Sequence, residues 1–100
     1  MKVLLVCAMG MSTSVLMKKL EKYADENGVE DFKIEAINMN AYKDVCAQYD
    51  CILLGPQVSY QRDNIAEGSG LPTAVIPPAD YAIGNCANIF KLVHSLIDQK

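Results

Sequence analysis

Near its start the chain reads Val3-Leu4-Leu5-Val6-Cys7-Ala8-Met9-Gly10-Met11-Ser12-Thr13-Ser14. The first five residues of this stretch are continuously apolar, which is typical of a strand buried on both faces of a parallel sheet. Gly10 follows the apolar run, and the hydroxyl residues after it predict a helix start with Ser12, Thr13 or Ser14 as the N-cap. The stretch therefore predicts a strand, a loop and a helix in direct succession.

Three further segments have the character of strands. Residues 50–54 begin with Asp50 and continue with an apolar run like that of the first strand, which is stopped by Gly55-Pro56. Residues 32–37 alternate at their start, which favours a strand at the edge of the sheet. Residues 73–76 end at Pro77-Pro78, because proline lacks the N–H group that a strand ladder needs.

Apolar side chains recur at helical spacing in two segments. The first segment ends at Asn27-Gly28, a typical C-terminal stop, and the second follows Asn85, a predicted N-cap. Weaker patterns predict short helices over residues 41–48 and 58–67, the latter ended by Gly68-Ser69-Gly70. The apolar positions of the two stronger helices are Val15, Leu16, Leu20, Tyr23 and Ala24, and Cys86, Ile89, Phe90, Val93, Leu96 and Ile97.

Strands that alternate with helices predict one α/β domain over residues 1–100. We expect an open four-stranded parallel sheet with helices on both faces. The first and third strands are the most apolar, so we place them at the centre, which gives the strand order 2-1-3-4. Ligands of such sheets bind at the carboxyl ends of the strands, where the winding reverses. The loops after Val6 and Leu54 should therefore form the ligand-binding face of the domain.

Composition excludes several classes of function. With 9 Lys and Arg against 12 Asp and Glu, the net charge is −3, which argues against a nucleic-acid binder. The longest apolar run, residues 3–9, is far short of the roughly 20 residues of a membrane helix, so we expect no membrane insertion and a cytoplasmic location. Four cysteines and one histidine without C-x-x-C spacing predict neither a disulfide scaffold nor a metal site.

The loop between the first strand and the first helix is predicted to bind an anion. Gly10 lets the backbone turn so that consecutive N–H groups converge, and the helix N-terminus adds its positive end. Cys7 stands at the mouth of this loop, where the same field favours thiolate over thiol. The pattern indicates a phosphoryl group carried on sulfur. The alternative is a buried cysteine at a strand end, followed by an ordinary turn and cap.

Several segments resemble the IIB components of the lactose/cellobiose (N,N′-diacetylchitobiose) branch of the bacterial phosphoenolpyruvate-dependent sugar phosphotransferase system. Residues 7–14 are similar to the active-site loop of that family, residues 53–60 to its third-strand exit, and residues 80–84 to the segment after its fourth strand. Length and element order also agree, so the likeness covers nearly the whole chain.

The resemblance implies a phosphocarrier that needs no cofactor. In that family the cysteine accepts a phosphoryl group from a histidine of the partner protein IIA and passes it to a sugar held by the membrane component IIC. The same is implied for Cys7, with a disaccharide of the cellobiose, chitobiose or lactose type as the acceptor. The backbone amides of residues 8–14 would cradle the phosphate.

Two other classes of function remain open: a phosphatase or arsenate-reductase-like thiol enzyme, and a non-enzymatic regulatory module that binds phosphate. Low-molecular-weight protein tyrosine phosphatases also place a cysteine in a phosphate loop, but their loop ends in an arginine that stabilises the transition state. Here the loop holds no arginine, and Arg62, the single arginine of the chain, lies elsewhere. This difference favours the carrier.

Tyr81 and Gln57 are weaker candidates for the site. By analogy with the family, Tyr81 approaches the edge of the phosphate; an ordinary half-buried tyrosine fits the sequence about as well. Gln57 either orients the loop or caps the helix after Pro56. Met9 stands where the family commonly has a small residue, and Met9 with Met11 forms either a docking patch or core filling.

The remaining cysteines and the histidine are interpreted as structural. Cys46, Cys51 and Cys86 are predicted to pack as small apolar groups. His94 belongs to the terminal helix, and we expect its side chain to be exposed.

Overall fold

The structure, a computed structural model, describes residues 2–7, 11–29, 31–38 and 41–98. Four strands form one sheet in the order β2-β1-β3-β4, and each neighbouring pair is parallel. The strands are β1 (Lys2–Cys7), β2 (Lys33–Asn38), β3 (Cys51–Leu54) and β4 (Thr73–Val75). The predicted fold class and strand order are confirmed, with the two most apolar strands at the centre.

Five α-helices connect and cover the strands in the described part of the chain. They are α1 (Met11–Glu26), α2 (Tyr42–Val45), α3 (Arg62–Ser69), α4 (Pro78–Ile83) and α5 (Cys86–Asp98), with 3₁₀ helices at Cys46–Gln48 and Pro56–Gln61. None of these described helices has both the length and the apolar character needed to cross a membrane.

Both faces of the sheet are buried, as the apolar runs predicted. Side chains of a strand alternate between faces, so Val3 and Leu5 join the core under α1 and α5, whereas Leu4 and Val6 join the core under α2 and α3. All four of these side chains are fully buried. The central strand is thus held from both sides, and its carboxyl end is a rigid place for a functional residue.

Two predicted helix boundaries are confirmed by their hydrogen bonds. α1 stops where Gly28 takes a left-handed conformation (φ 69°) and the N–H of Val29 donates back to the Ala24 carbonyl oxygen over 2.9 Å. α5 starts after Asn85, whose Oδ1 accepts a 3.2 Å hydrogen bond from the N–H of Asn88.

Other boundaries differ from the sequence prediction. Residues 41–48 form α2 followed by a 3₁₀ helix, and the segment predicted as a helix over 58–67 is 3₁₀ up to Gln61 and α-helical after it. α3 continues through Gly68 and Ser69 and ends at Gly70, which takes the left-handed conformation (φ 70°). The stop is therefore set by the residue that adopts positive φ, not by the first glycine of the pair.

Helix α4 was not predicted. The pair Pro77-Pro78 was interpreted only as the end of β4, but Pro78 also opens α4, because the fixed φ of proline suits the first turn of a helix. The helix ends at Gly84, again left-handed at φ 66°. This short helix carries Tyr81 to the carboxyl end of the sheet.

Candidate active site

Cys7 is the last residue of β1, as predicted. It pairs with Asn38 of β2, while its neighbour Val6 pairs with Leu54 of β3. The residue is 7% exposed, and its Sγ–H donates a long contact of 4.0 Å to the Ile37 carbonyl oxygen. The sulfur thus lies at the carboxyl end of the sheet, held by a single weak contact among the described residues.

The helix that follows begins close to this sulfur in the chain. α1 starts at Met11, four positions after Cys7, and its first turn contains no acidic residue. The N–H groups of a first helical turn lack partners within the helix, so this end of α1 suits an anion. Ala8, Met9 and Gly10, the predicted turn of the phosphate loop, lie outside the described residues.

The predicted N-cap of α1 is wrong. Because the helix already includes Met11, the residues Ser12, Thr13 and Ser14 lie within its first turn instead of capping it. Ser14 is exposed, whereas the side chains of residues 11–13 lie outside the description.

The space at Gly55 is bordered by Cys7 and by the two other predicted site residues, Gln57 and Tyr81. The N–H of Gly55 donates to the Val6 carbonyl oxygen over 3.0 Å, which extends the pairing of β1 and β3 past the end of the strand. A Cβ atom at Gly55 would lie 3.7 Å from the Cβ of Cys7, 3.7 Å from Cε2 of Tyr81 and 2.7 Å from Oε1 of Gln57. Three side chains, from β1, from the 3₁₀ helix Pro56–Gln61 and from α4, thus surround one glycine, and the lack of a side chain there makes room for Gln57.

The sequence predicts Gly55 only as the end of a strand. It does not indicate that neighbouring side chains need the space that a Cβ atom would occupy there. The backbone conformation of Gly55 (φ −65°, ψ 152°) is open to any residue. The need for glycine is therefore one of space, and it depends on where Gln57 and Tyr81 fold in three dimensions. The only signal in the sequence was a glycine directly after a fully buried strand.

A cleft of about 210 Å³ opens beside the site, between α1 and α4. Tyr81 lines this cleft, and its Cε2 would also lie 3.7 Å from a Cβ atom at Gly55, so this one side chain borders both the cleft and the space at Gly55. The six residues of its lining are Val15, Leu16, Lys19, Tyr81, Ala82 and Gly84.

Arg62 lies away from this arrangement. Arg62 is the first residue of α3 and lines a different cleft, together with residues of β4 and α5. Cys7, Gly55, Gln57 and Tyr81 do not line that cleft. The described part of the site therefore lacks the guanidinium group that a phosphatase uses to stabilise its transition state.

The other cysteines behave as the sequence predicted. Cys46 and Cys51 are buried, and Cys86 is partly buried with its Sγ–H donating to the Gly84 carbonyl oxygen over 3.4 Å. Burial raises the pKa of the Cys86 thiol above its usual value, although the nearby charge of Lys19 acts in the opposite direction. A raised pKa keeps this thiol protonated and unreactive.

His94 is exposed on α5, as expected, with its ring 6.4 Å from that of Phe90. Within residues 2–7, 11–29, 31–38 and 41–98, His, Cys, Asp and Glu side chains form no group of three or more that could hold a metal ion.

Comparison with known proteins identifies the family to which this site belongs. The family profile described as "PTS system, Lactose/Cellobiose specific IIB subunit" matches residues 2–92. The chain belongs to this family. The resemblance drawn from residues 7–14, 53–60 and 80–84 is thereby confirmed.

Individual relatives agree with this assignment to the IIB family. The chain is 39% identical over 87 residues to the galactose-specific EIIB component of Lactococcus lactis subsp. cremoris, covering 79% of this chain and 80% of the relative. It is 38% identical over 87 residues, with the same coverage, to the cellobiose-specific EIIB component of Lactococcus lactis subsp. lactis. The solution structure of the cellobiose-specific IIB component from Borrelia burgdorferi superposes with a TM-score of 0.81 at 32% identity, covering 100% of this chain and 94% of that one.

Proposed function

We propose that this IIB chain carries a phosphoryl group on Cys7. The group would come from a histidine of the partner protein IIA and pass to a disaccharide held by the membrane component IIC. The observation that carries the proposal is the position of Cys7 in a chain of this family: it ends the central strand β1 at the edge where α1 begins and where Gln57 and Tyr81 meet around Gly55.

The proposed chemistry consists of two transfers that balance. In the first, Cys7 Sγ attacks phosphorus while the P–N bond of the phosphohistidine breaks, and the proton of the thiol ends on the released imidazole nitrogen. In the second, a hydroxyl oxygen of the sugar attacks phosphorus, the S–P bond breaks, and the hydroxyl proton ends on sulfur. Cys7 is thereby returned to its starting state.

Backbone amides are the proposed ligands of the phosphate. The amides of residues 8–14 would point at its oxygens, supported by the unpartnered N–H groups at the start of α1. The hydroxyls of Ser12, Thr13 and Ser14 are proposed as further donors to the phosphate. Gln57 and Tyr81 would approach from the side of Gly55.

The carrier is favoured over a phosphatase by the position of Arg62. A hydrolase needs groups that stabilise the transition state and direct water at phosphorus. Arg62 lies in the cleft beside β4 and α5, on different lining residues from those around Cys7. A thiophosphate held by amides should therefore persist until an acceptor arrives.

The acceptor is proposed to be a disaccharide of the cellobiose, chitobiose or lactose type. Two relatives of nearly equal identity are named for galactose and for cellobiose. Galactose is a monosaccharide and cellobiose a disaccharide, so similar IIB chains are named for different sugars, which supports a pocket for the sugar on IIC; the disaccharide type is supported by the cellobiose-specific relatives. We propose the IIB chain itself as a single cytoplasmic phosphocarrier domain over residues 1–100.

The proposal is tested by incubating the chain with phosphoenolpyruvate, the general phosphotransfer proteins and IIA, followed by intact-mass measurement. A carrier gains one phosphate on the wild type and none on Cys7→Ser. Continuous release of inorganic phosphate without any acceptor would instead indicate a phosphatase. A chain that neither gains nor releases phosphate would overturn both catalytic functions and leave a regulatory binding module.

A further inference from the structure

Helix α4, which carries Tyr81 to the space beside Cys7, is held by little packing. None of its six residues is buried, and Asp80 and Tyr81 are the two that are half-buried. The Tyr81 side chain packs against the core under α1 and α5. A helix of fewer than two turns has little stability of its own. The position of α4 therefore depends on the contacts that Asp80 and Tyr81 make with neighbouring elements.

Asp80 connects α4 to the start of α5. Its backbone carbonyl oxygen accepts hydrogen bonds from the N–H groups of Gly84 and Asn85, the latter over 2.9 Å. Its carboxylate oxygen Oδ1 accepts a 3.1 Å hydrogen bond from the side-chain amide of Asn88, in the first turn of α5. The backbone N–H of Asn88 in turn donates to Oδ1 of Asn85 over 3.2 Å. These groups join the two helices through polar contacts.

The α5 side of this connection is fixed to the core. Ile89 and Phe90, which follow Asn88 in the chain, are 1% and 4% exposed and belong to the core under α1 and α5. The ring of Phe90 also lies 5.0 Å from that of Tyr23 in α1. Because the backbone of Asn88 is held in this way, its side chain offers Asp80 a partner in a defined position.

We propose that Asp80 and Asn88 are positioning residues for the proposed transfer: their hydrogen bond sets the orientation of α4 and thereby the position of the Tyr81 side chain. The inference rests on the proposed function, in which Tyr81 approaches the phosphate on Cys7. Asp80 precedes Tyr81 in the chain, so a rotation of α4 that breaks the hydrogen bond also moves Tyr81. Cε2 of Tyr81 would lie 3.7 Å from a Cβ atom at Gly55, and a displacement of about 1 Å at a reacting group is enough to slow a transfer.

The exposure of the pair argues against a role in stability alone. Asn88 is exposed and Asp80 is half-buried. Water can replace a hydrogen bond at such a place, so the bond adds little to the free energy of unfolding. The same bond is sufficient to favour one orientation of a short helix without buried residues.

The first test measures kcat and KM for phosphorylation of the chain by phosphorylated IIA. Asn88→Asp removes the donor and places a second carboxylate beside Asp80, so we expect kcat to fall about threefold while KM stays within about twofold of the wild type. Adding Asp80→Asn to this variant restores one donor and one acceptor with exchanged places, and should return kcat to within about twofold of the wild type.

The dependence on Tyr81 separates positioning from a merely structural role. Adding Asn88→Asp to Tyr81→Phe should cause no further slowing, because the pair acts through the Tyr81 hydroxyl. Asn64→Asp is the matched control, since Nδ2 of Asn64 donates an exposed hydrogen bond of the same length, 3.1 Å, to Oε1 of Gln61. This control should leave kcat and KM within about twofold of the wild type.

A second measurement detects the position of Tyr81 without any partner protein. The resonance of an amide proton near an aromatic ring depends on where the ring lies. In an amide proton–nitrogen correlation spectrum, the Gly55 resonance should therefore shift in Asn88→Asp and return toward its wild-type position when Asp80→Asn is added. The Gly28 resonance, from the opposite end of the sheet, should stay in place in both variants and so show that the fold is intact.

The remaining outcomes separate this inference from the proposed function. A wild-type kcat in Asn88→Asp, or an unshifted Gly55 resonance, would overturn the positioning role while leaving Cys7 as the carrier. Slowing by Asn88→Asp that persists in Tyr81→Phe, or a raised KM with unchanged kcat, would also overturn it. A wild-type chain that gains no phosphate would overturn the proposed function, and the inference with it.

Discussion

The two ends of the sheet present cavities of opposite character. At the amino end, a cavity of about 530 Å³ between the end of α1 and the start of β2 is lined by Glu21, Asp25 and Asp31. At the carboxyl end, the cleft beside Tyr81 has a volume of only about 210 Å³, but Tyr81 also borders the space at Gly55, next to Cys7. Carboxylates repel a phosphate, so the larger cavity is the less suitable one. Charge and a candidate nucleophile, and not volume, therefore favour the carboxyl end as the place of the proposed site.

The two ends of the sheet also differ in the reason why each contains a glycine. Gly28 at the amino end is required by its backbone, since its φ is +69° and a Cβ would meet nothing within 4 Å. Gly55 at the carboxyl end has an ordinary backbone, and a Cβ there would meet Gln57, Cys7 and Tyr81. One glycine stabilises a turn, whereas the other keeps space free in a site.

Replacing each glycine by alanine should have the largest effects, and the two variants should differ in which property they change. Gly55→Ala places a methyl group against Gln57 and beside Cys7, and we expect the rate of Cys7 phosphorylation to fall about tenfold to a hundredfold. The cost in stability should be small, because the closest atom is the mobile end of a side chain. Gly28→Ala should lower the free energy of unfolding by about 1–2 kcal/mol, through left-handed strain, and leave the rate unchanged.

Both variants are measured by denaturant unfolding and by the rate of phosphorylation with IIA. If Gly28→Ala slowed phosphorylation as much as Gly55→Ala, or if Gly55→Ala kept the wild-type rate, the proposed difference between the two ends of the sheet would be contradicted.

Smaller effects are expected from the side chains around Gly55. Tyr81→Phe removes one hydroxyl, and Gln57→Ala removes one amide; loss of a hydrogen bond to the phosphate should slow phosphorylation about threefold to tenfold in each. Tyr60→Phe is the control, since Tyr60 is a 67% exposed tyrosine in the 3₁₀ helix that also contains Gln57. The rates are compared at saturating IIA. A slowing by Tyr60→Phe as large as that by Tyr81→Phe would remove Tyr81 from the proposed site.

Changes at Tyr49 should affect the free energy of unfolding and not the rate of phosphorylation. The Tyr49 hydroxyl donates a 2.6 Å hydrogen bond to Oε2 of Glu35, just before β3 begins. Burial, followed by this bond and the charge of Glu35, raises the pKa of Tyr49 from 10.0 to about 12. The unfolded chain therefore loses this proton before the folded chain does, and the free energy of unfolding should fall as pH rises from about 10 to about 12.

Tyr49→Phe cannot lose that proton, so its unfolding free energy should fall less steeply over the same pH range. Unfolding in denaturant at several alkaline pH values measures the two slopes, and identical slopes would contradict the raised pKa. Phosphorylation at neutral pH should be the same in both proteins, because Tyr49 and Glu35 lie away from Cys7.

The sequence predicted the framework of the molecule better than the details of its site. The apolar strand that contains Cys7, the stop of α1 at Gly28 and the start of α5 after Asn85 follow from local patterns, which is why the strands and these helix ends were predicted correctly. The cap of α1 was not, because Ser12, Thr13 and Ser14 are equivalent capping candidates and the pattern cannot choose the residue at which the helix begins.

Features that depend on distant parts of the chain were missed. Pro77-Pro78 fits a strand end and a helix start equally well, so α4 went unpredicted. Of the side chains around Gly55, Gln57 is only two residues away in the chain, whereas Cys7 and Tyr81 reach this point only through the fold, so no local spacing predicts that they meet there. Cys7, by contrast, could be predicted as the candidate nucleophile from its position between an apolar strand and a helix start.

The role of Cys7 is tested most directly by mapping the phosphoryl group after reaction with phosphorylated IIA. Peptides produced under mild conditions and sequenced by tandem mass spectrometry should carry the phosphate on Cys7, and His94→Ala should be phosphorylated as fully as the wild type. Phosphate on His94, the only histidine of the chain, or full phosphorylation of Cys7→Ser would contradict the proposal that this sulfur is the carrier.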